Sequence, residues 1–134
     1  MNRKILVVDD EADVLSLVHD ILTGSGYEVF TATSGKEGLT KAVSLRPDLI
    51  VLDVVMPGLS GLEVCRLVKS KPSLSGVRVL VLSALGRDVD RQLIEDAGAD
   101  GYLRKPFGVK DLLSTVDDLF LGEKKHNVRT QNNP

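Results

Sequence analysis

The run Leu49-Ile50-Val51-Leu52 leads straight into a carboxylate, Asp53, and soon afterwards into Pro57-Gly58. A short continuous apolar run rich in β-branched residues reads as a strand buried on both faces, which calls for a parallel sheet covered above and below. Pro57-Gly58 then forces a turn. A carboxylate at the tip of such a strand is costly unless something compensates it. Asp53 therefore constrains the rest of the chain, because its partners must come from elsewhere.

Other segments repeat the pattern. Lys4-Ile5-Leu6-Val7-Val8 is a second buried run and ends in Asp9 and Asp10, with Glu11 next. Arg78-Val79-Leu80-Val81-Leu82 is a third and ends in Ser83-Ala84. Gly101 to Leu103 is a shorter one that leads into Arg104-Lys105-Pro106-Phe107, and Glu28 to Ala32 is strand-like with β-branched and aromatic residues. Groups suited to a phosphate or a metal thus follow several strands. In a parallel sheet those ends share one edge, where ligands bind in open α/β folds.

Helical periodicity fills the gaps. Val14, Leu15, Leu17, Val18, Ile21 and Leu22 recur at helical spacing before Gly24-Ser25-Gly26. Ser34 with Glu37, and Ser60 with Glu63, have the spacing of capping boxes for two further helices. A helix through Val89, Leu93 and Ile94 ends at Gly98. The last, Val109 to Leu121, turns Leu112, Leu113, Val116, Leu119 and Phe120 inward. Five strands alternating with five helices predict a parallel sheet with helices on both faces. Residues 1–122 form one domain, and residues 123–134 lose all periodicity and read as a polar tail or linker stub.

With 134 residues the chain is long enough for a real core, and a net charge of −2 gives no sign of a general nucleic-acid or anionic-membrane binder. The single cysteine, Cys65, excludes an internal disulfide and reads as a buried structural thiol. No run reaches the length of a membrane span or a signal peptide, so the chain is expected to be soluble and cytoplasmic.

The acidic residues carry the chemistry. If Asp9, Asp10 and Asp53 converge, two carboxylates about 4 Å apart repel by about 4 kcal/mol at a surface-like dielectric. Without a counter-charge one would stay protonated near neutral pH. A hard divalent cation held by carboxylates, a backbone carbonyl and waters is the simplest remedy, and this is the habit of Mg2+. The competing reading has Asp9-Asp10-Glu11 merely charging the first turn of a helix. Ser83 can donate to one phosphoryl oxygen and Lys105 can neutralise another. Taken singly, the serine also reads as a helix cap and the lysine as solvent-facing.

Val7-Val8-Asp9-Asp10-Glu11, Leu52-Asp53-Val54-Val55-Met56-Pro57-Gly58, Leu82-Ser83-Ala84 and Lys105-Pro106-Phe107, in this order and spacing, resemble the receiver domain of bacterial two-component response regulators. The resemblance covers Lys4 to about Leu121. It implies a flavodoxin-like, doubly wound sheet of order 2-1-3-4-5. It also implies a switch that assists its own phosphorylation and dephosphorylation, rather than an enzyme. Asp53 matches the phosphoacceptor that takes a phosphoryl group from a sensor histidine kinase or phosphotransfer protein. Asp10 matches the main Mg2+ carboxylate and Asp9 its partner, with Asp53 and the Val55 carbonyl as further ligands. Ser83 and Lys105 match the hydroxyl and ammonium that engage the phosphoryl group, Tyr102 the aromatic that turns inward as the hydroxyl moves, and Lys105-Pro106 a cis bond. A downstream protein or output domain is the implied partner, with no direct nucleic-acid or membrane binding by this segment.

Two departures stand out. Val55 and Leu85 are apolar where the family places side chains flanking the route of the hydrolytic water, so a long-lived phosphorylated state is expected. Asp117 and Asp118 replace the basic character common where regulators dimerise through the last two helices, so that dimer is not assumed. Other classes fit less well. A haloacid-dehalogenase-type enzyme wants a second acid two residues after Asp53, where Val55 stands. A dinucleotide module wants Gly-x-Gly-x-x-Gly after the first strand, whereas Gly24-Ser25-Gly26 follows a helix. A receiver-like interaction module that works without phosphorylation is the surviving alternative.

Overall fold

The computed structural model describes residues 2–84 and 88–122. In order they form β1 (Lys4–Val8), α1 (Ala12–Gly24), β2 (Glu28–Ala32), α2 (Gly35–Leu45), β3 (Leu49–Asp53) and α3 (Gly61–Ser70). A 3-10 turn at Pro72–Leu74 precedes β4 (Arg78–Ser83), α4 (Asp88–Asp96), β5 (Gly101–Arg104) and α5 (Val109–Phe120). Every strand pair is parallel and the sheet order is β2-β1-β3-β4-β5, the order that the family resemblance implies.

The order accounts for the sequence pattern. β3 lies between β1 and β4 under helices on both faces, so all of Leu49–Asp53 is buried. β2 is an edge strand, and only Ala32 of its residues is fully buried, which is how it accommodates Glu28 and Thr31. Each buried Leu, Ile or Val in the central strands contributes about 1.5–3 kcal/mol relative to exposure. α1 buries Leu15, Val18 and Leu22. Leu17, grouped with them by spacing, is 54% exposed, because each helical residue turns the side chain by about 100° and places it beyond the rim of the apolar stripe.

Caps set the helix starts. At Ser60 both halves of the capping box form, with Glu63 N–H donating to Ser60 Oγ and Ser60 N–H donating to Glu63 Oε1. At Ser34 only the first half forms. The Glu37 carboxylate turns instead to Thr33, which offers both its N–H, at 2.7 Å, and its hydroxyl. Cys65 is buried and donates to Ala97 O, and burial pushes its thiol up to about 12.

Long-range polar ties gather at the amino-terminal edge of the sheet. Lys4 N–H donates to Asp48 Oδ2 at 2.8 Å, and Arg78 N–H donates to Asp48 O. The Asp100 carboxylate accepts from Val79 N–H at 2.8 Å and from the Lys69 ammonium. Tyr27 donates to Asp117 Oδ1 at 2.8 Å and packs on Phe120, over whose ring Arg3 also lies. No helix among the described residues is long and apolar enough to cross a membrane.

Candidate functional site

β1, β3, β4 and β5 end on the edge opposite those ties. Register brings their polar residues together: Val8 pairs with Leu52, Asp53 with Leu82 and Ser83 with Arg104. Asp9 follows β1 directly, Asp53 closes β3, Ser83 closes β4 and Lys105 follows β5. One carboxylate oxygen from each of Asp9, Asp10 and Asp53 lies within 4.8 Å of the others. Asp9 is fully buried and Asp53 is 5% exposed, whereas Asp10 faces solvent.

Lys105 bridges the cluster. Its Nζ is 3.1 Å from Asp53 Oδ1, 3.5 Å from Asp9 Oδ2 and 3.7 Å from Glu11 Oε1. Its backbone N–H donates to Ser83 O at 2.7 Å, which ties the lysine to the end of β4, and the Lys105-Pro106 bond is cis. Asp9 Oδ1 accepts from Glu11 N–H at 2.8 Å, while Asp9 Oδ2 is buried without a hydrogen bond. At Gly61 an added Cβ would stand 2.0 Å from Asp53 O, so the bare glycine lets the start of α3 press against the acidic strand end.

The electrostatics follow from this crowding. Burial raises the Asp9 carboxyl above its ordinary range against the opposing pull of the Glu11 N–H and Lys105. Burial also raises that of Asp53, and the Asp9 charge adds to the effect while Lys105 opposes it. For Lys105, burial works against the charge, but the hydrogen bond to Asp53 and the charges of Asp53, Asp9 and Glu11 outweigh it and hold the ammonium above its ordinary value. Three carboxylates around one ammonium leave excess negative charge. Together with the unsatisfied Asp9 Oδ2 and a donor set made of oxygens, they suit a hard divalent cation.

Asp10, Glu11, Asp53, Val55, Ala84 and Lys105 line a depression of about 350 Å³, and Val55 is 66% exposed at its mouth. Ser83 is buried at the end of β4. Tyr102, paired with Val81, is 2% exposed and lies inside. Leu85 and the segment 123–134 fall outside the described residues. The sequence reading missed two features. The Glu11 side chain reaches Lys105, although its place in the acidic run was visible. An apolar groove of about 410 Å³, lined by Val14, Leu17, Lys105 and Phe107 among others, adjoins the pocket.

Strand order and an acidic, lysine-bridged pocket at the carboxyl edge together define a CheY-like α/β signalling module. The chain belongs to the response regulator receiver domain family, whose profile matches residues 5–117. It is 43% identical over 116 residues to the alkaline phosphatase synthesis transcriptional regulatory protein PhoP of Bacillus subtilis, an overlap of 87% of this chain and 48% of that protein. It is 39% identical over 116 residues to the DNA-binding response regulator MtrA of Mycobacterium tuberculosis, covering 87% of this chain and 50% of the relative. The chain thus spans about half the length of these relatives. Among solved structures, the chemotaxis response regulator CheY4 of Vibrio cholerae superposes with a TM-score of 0.85 at 34% identity, covering 89% of this chain and 99% of that one.

Proposed function

We propose that this chain is the phosphoacceptor of a two-component pathway. Asp53 takes a phosphoryl group from a sensor histidine kinase or phosphotransfer protein, and the added charge shifts the domain between two conformations that a downstream partner or output domain reads. The observation that carries this reading is the nearly buried Asp53 carboxylate, held by Lys105 at 3.1 Å beside two further aspartates.

A carboxylate is a weak nucleophile toward phosphorus, so positioning and charge neutralisation must supply most of the acceleration. Lys105 serves as a point charge that receives the phosphoryl oxygens. Asp9, Asp10 and Asp53, with the Val55 carbonyl, are the residues to hold Mg2+, which when bound neutralises phosphoryl charge. Ser83 donates its hydroxyl to the new group, and its movement with Tyr102 gives the two conformations different contacts with the phosphoryl charge, as a population shift requires. The Val55 side chain offers no polar group to orient a hydrolytic water, which supports a long-lived phosphorylated state.

By their names PhoP is a transcriptional regulatory protein and MtrA a DNA-binding response regulator, and this chain matches about half of each. Its role in a longer regulator would be to gate such an output, with no nucleic-acid contact of its own. Incubation with acetyl phosphate and Mg2+ followed by intact mass tests the reading. Wild type should gain one phosphoryl group and Asp53→Asn none. A wild type that stays unmodified would instead favour an interaction module independent of phosphorylation.

A further inference from the structure

Glu11 stands at the rim of the pocket, and the phosphoacceptor reading gives it no task. Its side chain is 64% exposed, yet Oε1 lies 3.7 Å from Lys105 Nζ. It occupies the N-cap position of α1 but makes no side-chain capping hydrogen bond, so capping does not account for its placement. Lys105 is thereby shared among Asp53, Asp9 and Glu11. We propose that Glu11 is a specificity-determining charge that hinders free, small anionic phosphodonors and so reserves Asp53 for phosphoryl groups delivered by a protein.

The inference rests on the phosphoacceptor role of Asp53. A small acyl phosphate brings its negative charge to a mouth where Glu11 already holds part of the ammonium that must receive it. Like charge at the entrance lowers both the encounter rate and the local donor concentration. A protein donor overcomes the same barrier with binding energy from surface contacts remote from the reacting centre. In transfer from acetyl phosphate, an Asp53 carboxylate oxygen bonds to phosphorus while the bridging P–O bond breaks. Its electron pair leaves with acetate, so no proton or other reactant is needed.

The test uses the full chain saturated with Mg2+ and subsaturating acetyl phosphate, comparing wild type, Glu11→Gln and Glu11→Asp in low and high salt. Mg2+ affinity is measured separately by calorimetry without donor. Glu11→Gln should raise the phosphorylation rate about three- to tenfold at low salt, and high salt should reduce the gain to less than about twofold. The same variant should bind Mg2+ about two- to fivefold more weakly, while Glu11→Asp stays near wild type in both. Opposite signs for rate and metal affinity mark an electrostatic role, since simple misplacement of Lys105 would lower the rate. Equal rates for all three proteins, a slower Glu11→Gln or a gain that salt leaves intact would overturn the inference alone. Failure of wild type to be labelled at Asp53 would overturn the phosphoacceptor reading and the inference with it.

Discussion

Neutralising Asp53 should make the metal-free protein more stable. One carboxylate oxygen from each of Asp9, Asp10 and Asp53 lies within 4.8 Å of the others, and at that separation two unit charges repel by about 3.5 kcal/mol at an effective dielectric of 20. Asp10 is exposed, so solvent and salt screen its share. On the same scale Lys105, 3.1 Å from Asp53, attracts by about 5 kcal/mol. Attraction and repulsion largely offset, and the cost of burying a carboxylate that is 5% exposed decides the balance. Burial and the Asp9 charge place the Asp53 carboxyl above its ordinary range, so the protonated form suits the fold better. Its favourable contribution is complete below the unfolded pKa of about 4 and is lost as pH rises through the folded value. At neutral pH the ionised group therefore weighs against folding.

Asp53→Asn keeps the shape and an acceptor oxygen for Lys105 but removes that charge. We expect about 1–2 kcal/mol of added stability, or a Tm about 3–8 °C higher for a chain of this size. Calorimetric melts at neutral pH in EDTA measure the gap, and it should narrow as pH falls toward the carboxyl range. Mg2+ should narrow it too, because a ligand at ten times its Kd adds about 1.4 kcal/mol to the protein that binds it, and the variant has lost one carboxylate. A variant that melts at or below wild type in EDTA, or gains as much from Mg2+ as wild type does, would refute the reasoning.

Replacing the ammonium by an isosteric thioether in Lys105→Met should slow labelling by acetyl phosphate at least about a hundredfold, and a loss under threefold would remove Lys105 from the transfer step. The double variant Val55→Asn, Leu85→Glu should lose its phosphoryl group faster than wild type, followed by the decay of the phosphorylated mass. An unchanged half-life would contradict the role given to these positions. Gly61→Ala, whose Cβ would meet Asp53 O at 2.0 Å, should cost about 1–3 kcal/mol in urea unfolding. A neutral result would mean that α3 can withdraw from the strand end at no cost.

β1, β3 and β4 were legible because strands buried on both faces must read as unbroken apolar runs, and a polar residue directly after such a run marks the sheet edge. The convergence of Asp9, Asp10, Asp53 and Lys105 followed once those edges were aligned. Strand ends were less exact, since the pairing of Ser83 with Arg104 carries β4 and β5 one residue further than their apolar runs. Leu17 and Phe107 look the same in sequence whether they face the core or a groove, so the apolar groove was not visible. Nor was the choice of Glu37 between Ser34 and Thr33, which depends on competing donors at a separation that spacing does not resolve. The contact between Glu11 and Lys105 joins residues far apart in the chain, and no periodicity encodes it.

The bonds of Asp48, Asp100 and Tyr27 hold the floor of the sheet, while the mutually repelling acids occupy its roof. The crowded acids and the bonds of Asp48, Asp100 and Tyr27 thus lie at opposite ends of the strand axis. Substitutions around the mouth should therefore leave the bonds of Asp48, Asp100 and Tyr27 at the far end in place.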